Sequence, residues 1–120
     1  MSKVKEQTRF LSELSCAFGP TPDAPRSGTI TSIGLRECFV KTKAIVIEGQ
    51  DLFVRVWMPD NRWLRMSGRV KYHMSGFGFG VIFHDLPEEL HRDLAGLIDL
   101  LRLRHLAESR ARPADDADGF

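Results

Sequence analysis

The chain has 120 residues, 42% of them hydrophobic, and its 17 Lys and Arg nearly cancel its 16 Asp and Glu. That length suits one domain with an ordinary core, and the balanced charge argues against a bulk partner such as a nucleic-acid polymer. No apolar run reaches membrane-spanning length, and Met1–Glu6 lacks the apolar stretch of a secretion signal. Cys16 and Cys38 are too few for a disulfide scaffold. A cytoplasmic protein with reduced thiols and no membrane insertion is expected.

In chain order, residues 1–8 are expected to be a flexible lead-in. Phe10 to Phe18 fits helical and strand spacing alike. The loop signals of Gly19-Pro20-Thr21-Pro22-Asp23-Ala24-Pro25 favour a strand entering a hairpin-like loop. Thr29–Thr31 is β-prone, and Gly34 breaks the run. Cys38, Val40 and Thr42 then alternate with Phe39, Lys41 and Lys43. Leu52, Val54, Val56 and Met58 share one strand face, with Phe53, Arg55 and Trp57 on the other. Pro59-Asp60-Asn61 is a turn. From Arg62 to His73 the pattern puts Leu64, Met66, Val70 and Tyr72 inward and Arg65, Ser67, Arg69, Lys71 and His73 outward, as in an antiparallel strand wetted on one side. Ser75-Gly76 turns the chain, and Phe77, Phe79, Val81 and Phe83 form the last inward face.

Pro87 suits a first helical position, with Asp85 as a cap and Glu88 and Glu89 in the first turn. Leu90, Leu94, Leu97, Ile98 and Leu101 recur at helical spacing. Leu100 and Leu103 lie off that stripe. The helix is expected to lie over the barrel, covering Phe53 and Trp57, and its broad apolar surface also suits a homo-oligomer seam. Barrel and helix are assigned to 9–109, and the Ala-, Asp-, Pro- and Gly-rich residues 110–120 to a disordered tail.

Little in this pattern supplies catalysis. His73, His84, His91 and His105 lack the close spacings of zinc sites, so no metal is expected. Gly76, Gly78 and Gly80 are not followed by the Lys-Ser or Lys-Thr of a phosphate loop. Glycines set in a strand instead let another element, such as a helix, come close. No nucleophile elbow or acid pair is present, so no enzyme is expected.

The strand order, with Ile30-Thr31-Ser32-Ile33-Gly34-Leu35-Arg36-Glu37-Cys38-Phe39-Val40, Gly68-Arg69-Val70-Lys71-Tyr72 and Gly78-Phe79-Gly80-Val81-Ile82-Phe83 ahead of a helix, resembles the PilZ domain family over roughly Lys5 to Leu101. The resemblance implies a mainly β fold, a six-stranded antiparallel barrel with a C-terminal α-helix. Many PilZ domains are receptors for cyclic di-GMP. Those that bind it carry R-x-x-x-R before the first strand and D/N-x-S-x-x-G after the second. Here the matching positions are Lys5-x-x-x-Arg9 and Ser32-x-Gly34-x-x-Glu37, with Arg36 as a further cation. The literal repeat at Arg65 and Arg69 lies in a later strand and is read as coincidence.

Only Arg9 keeps the motif. Lysine at position 5 is a point charge, without the planar fork that pairs with guanine O6 and N7. Ser32 is a weaker acceptor than a carboxylate. Glu37 adds negative charge beside a dianionic ligand. The resemblance therefore implies a regulatory adaptor that acts through a protein partner in motility, pilus or biofilm control, with weak or absent ligand binding. The alternatives are a cyclic di-GMP receptor with a variant pocket held by Lys5, Arg9 and Arg36, and a homo-oligomeric scaffold built on the helix.

Overall fold

The computed structural model describes residues 8–111. The expected lead-in, apart from Thr8, and the expected tail beyond Ala111 lie outside the described residues, and so does Lys5. Six strands, β1 (Arg9–Gly19), β2 (Arg26–Gly34), β3 (Glu37–Lys41), β4 (Asp51–Trp57), β5 (Trp63–Met74) and β6 (Gly78–His84), precede one helix, α1 (Glu88–Ala111). The strands close into a barrel in the order β1-β2-β3-β6-β5-β4, every pair antiparallel, with β1 returning to β4 through Cys16–Val56 and Phe18–Val54. The expected mainly β barrel with a C-terminal helix is the observed architecture.

Alternation fills the interior as the sequence requires. Leu52, Val54, Val56, Leu64, Met66 and Val70 are all buried, and Phe18 meets Phe79 edge to face at 5.0 Å in the centre. Ile30 and Ile33 are both fully buried although three residues apart. A register shift between Ile30 and Ser32 inserts an extra residue relative to β3 and turns both inward.

A second shift, between Val70 and Tyr72, corrects the expected pattern. It turns Tyr72 to the outer face, opposite Gly80, where its ring stacks on that of Phe39 with centroids 6.2 Å apart. A β-carbon on Gly80 would lie 2.6 Å from the Tyr72 ring. What the glycine admits is thus an aromatic side chain of the neighbouring strand, not a helix. Phe77 is also not inward. It ends the β5–β6 turn, its N–H donating to Met74 O at 2.9 Å, and is 67% exposed.

The helix begins one residue later than expected. Pro87 precedes it and lends its carbonyl to the His91 N–H at 2.9 Å. Asp85, at φ 54°, does not cap the helix; its carboxylate faces His84 Nδ1 at 3.0 Å. Leu94, Leu97, Ile98 and Leu101 are buried in the same core cluster as the strand residues. Side chains of that size contribute about 1.5–3 kcal/mol each on full burial, which anchors the helix. Arg62, between Asp60 (2.7 Å) and Asp93 (3.2 Å), ties the β4–β5 turn to the first half of the helix. The helix does not cover Phe53 or Trp57 as expected. Phe53 lies half-buried beside Pro22 and Arg65, and Trp57 stays 39% exposed.

Candidate functional site

Three of the motif positions converge where β1 begins and β2 ends. Arg9 pairs with Gly34 across the β1–β2 ladder, and Glu37 opens β3 just past the Leu35-Arg36 turn. The backbone carbonyl of Thr8 sits where a β-carbon on Gly34 would go. Any larger residue there would push away the chain entering β1, so glycine answers a close backbone approach as well as deleting a hydroxyl.

Arg9 NH1 donates to Glu37 Oε1 at 2.9 Å, with 29% and 20% of the two side chains exposed. Lys71 Nζ, from β5, stands 3.7 Å from the same oxygen. Glu37 thus collects two cations, Lys71 and Arg9, whose position in the sequence matches a motif arginine. Ser32 lies in the row Leu11–Ser32–Phe39 across β1, β2 and β3. Arg36 is exposed at the turn, and its carbonyl accepts the Phe83 N–H at 2.8 Å.

A groove of about 410 Å³ continues along the outer face of β2 and β3, away from that turn. Thr29, Thr31, Phe39, Lys41 and Phe77 line it. Sequence reasoning missed Phe39 and Phe77 as a surface pair, because Phe77 read as core and Tyr72, which props Phe39, read as inward.

Cys16 and Cys38 are buried and free. Desolvation pushes the Cys16 thiol up to about 12. Burial drives Cys38 still higher, with the neighbouring Cys16 adding to it. Neither supplies a thiolate near neutral pH. Among the described residues no group of three His, Cys, Asp or Glu is placed to hold a metal ion. No described helix is long and apolar enough to cross a membrane.

No family model and no curated protein matches the sequence. Solved structures do. The Bacillus subtilis inhibitor of motility MotI/DgrA superposes with TM-score 0.65 at 12% identity, over 82% of this chain and 49% of that one. The PilZ domain of CeSA from a cellulose-synthesizing bacterium gives 0.63 at 14% identity, over 78% and 98%. An uncharacterized Legionella protein gives 0.52 at 16%, over 84% and 98%. This chain spans about half the length of MotI/DgrA and nearly all of the CeSA domain. Its fold is that of a PilZ-like domain.

Proposed function

From this PilZ-like fold, we propose that the chain is a non-enzymatic regulatory adaptor in cyclic di-GMP signalling, acting through a protein partner and binding the nucleotide weakly or not at all. The observation that carries the reading is the Arg9–Glu37 pair. A phosphate or guanine edge seeking Arg9 must displace an internal carboxylate and then lie beside it. Like charges about 4 Å apart repel by roughly 1 kcal/mol in water and about 4 kcal/mol at the effective dielectric of a protein surface. At the upper figure, about 4 kcal/mol, a micromolar site becomes a roughly millimolar one. The structural likeness to an inhibitor of motility supports a partner in a motility machine.

Calorimetric titration with cyclic di-GMP tests this. The expected result is no saturable heat in the low-micromolar range. A submicromolar Kd that Arg9→Ala abolishes overturns the reading in favour of a working receptor with a variant pocket.

A second reading, self-association through the helix, is favoured by Leu103 and Leu106, which remain 56% and 47% exposed beside Leu100. Light scattering decides it. A dimer mass that Leu103→Glu reduces to the monomer supports a homo-oligomer; a monomer throughout rejects it.

A further inference from the structure

The outer face of β4 and β5 carries a row of side chains that the motif site does not use. The ladder sets Phe53 opposite Ser67, Arg55 opposite Arg65 and Trp57 opposite Trp63. Like charges directly opposite on a sheet destabilise it. Arg55 is anchored, its NH2 donating to the carbonyls of Asp23 (3.1 Å) and Ala24 (3.2 Å) while its guanidinium lies 4.5 Å from the centre of the Trp63 ring. Arg65 is exposed, and among the described residues no hydrogen bond or ion pair engages it. The two tryptophans meet edge to face at 5.1 Å and are 39% and 37% exposed. Beside them a groove of about 250 Å³ is lined by Pro22, Phe53 and Met66 together with both arginines.

We propose that this face, Arg55, Trp57, Trp63 and Arg65, docks an acidic segment of a partner protein, one that carries carboxylates next to an apolar or aromatic side chain. A carboxylate beside these cross-strand arginines offsets their like charge and takes hydrogen bonds from Arg65 in fork geometry. The adjoining apolar side chain enters the groove over Phe53 and Pro22. Tryptophan and arginine are the residue types that dominate binding energy at the centre of protein interfaces. Single-stranded nucleic acid also uses aromatic rings and cations, but it needs open ring faces for stacking. Here Arg55 already covers a face of Trp63, and the near-zero net charge gives no field for a long polyanion.

The proposal rests on the adaptor reading and gives the partner its chemistry. Its test uses no cyclic di-GMP, so its failure and a failure of the nucleotide titration are read separately. The chain contains only two tryptophans, both on this face, and their emission reports occupancy without a label. The full chain is titrated with a synthetic Glu-Glu-Phe-Glu-Glu-Phe peptide, its Lys-for-Glu counterpart and oligothymidylate.

A saturable emission change with the acidic peptide alone is expected, weakening with salt and at least about tenfold in Arg65→Glu. The same substitution places a carboxylate opposite Arg55, so the melting temperature holds or rises while the peptide is lost. Arg65→Ala, which removes the cation without adding a carboxylate, moves peptide binding in the same direction and decides the matter if Arg65→Glu fails to fold. No saturable response to the acidic peptide, equal binding by wild type and the Arg65 variants, or a tighter response to oligothymidylate overturns the proposal.

Discussion

Arg9 and Glu37, 28 positions apart, share a 2.9 Å ion pair at the mouth of the barrel. Each is intelligible alone as a motif position kept or lost. Together they form an ion pair in which the Glu37 carboxylate offsets the Arg9 charge. Lys71, 3.7 Å from the same carboxylate, leaves the cluster with one net positive charge.

Removing the carboxylate charge should separate the pair's two effects. Glu37→Gln is expected to cost no more than about 1 kcal/mol, because a partly exposed pair contributes little net stability. It should also strengthen any cyclic di-GMP binding, by about fivefold for a repulsion of roughly 1 kcal/mol and by more where the local dielectric is lower. Thermal melts and calorimetry on the same preparation check both. An unchanged affinity would show that Glu37 does not limit the site.

In β6, Gly80 leaves no room for a side chain. Its missing side chain admits the Tyr72 ring, 2.6 Å from where a β-carbon would sit. Gly80→Ala should displace Tyr72 from Phe39 and cost about 1–3 kcal/mol through overpacking. Denaturant unfolding measures the loss. The double variant Gly80→Ala with Tyr72→Ala should recover part of it, as expected for neighbours that share one space.

For the helix, burial separates two leucine-type stripes. Ile98→Ala empties a site at 1% exposure and should cost about 2–5 kcal/mol. Leu103→Ala, at 56% exposure, should change stability by less than about 0.5 kcal/mol. Urea midpoints of the two variants test the assignment of the stripes.

The thiols give a pH prediction. The ordinary cysteine value is 9.0, and burial raises Cys16 to about 12. Cys38 moves in the same direction. The unfolded chain therefore releases these protons at lower pH than the folded one. Stability from this source is fully present below about pH 9 and falls as pH rises toward 12. Near pH 8 both thiols should resist a disulfide reagent in the native protein and react promptly in denaturant. A fast native reaction would contradict their burial.

Much of the barrel was legible because alternation holds wherever two strands stay in register. Leu52, Val54 and Val56 in β4 and Leu64 and Met66 in β5 fell on the core face as their spacing implied. The reading failed at Tyr72, beyond a register shift, and at Phe77, where the turn runs one residue past Gly76. An extra residue in one strand reverses every side chain after it, and a period-two pattern carries no mark of that insertion. The neighbourhood of the candidate residues was legible in part. Arg9 and Glu37 stood out by position, but the contact between them depends on β1 and β3 flanking β2 and on the register of both ladders, which single strands do not reveal. The Arg55–Arg65 opposition was hidden for a similar reason, since cross-strand register follows from the turn and not from either strand alone.

In the ligand-free protein the Arg9 guanidinium is already committed to Glu37. Side-chain ¹⁵N resonances of Arg9, assigned with Arg9→Lys and followed as cyclic di-GMP is added in excess, report this at the atom concerned. They should stay at their ligand-free positions in wild type and move only in Glu37→Gln. A saturable shift of the wild-type Arg9 signal at micromolar nucleotide would contradict the claim.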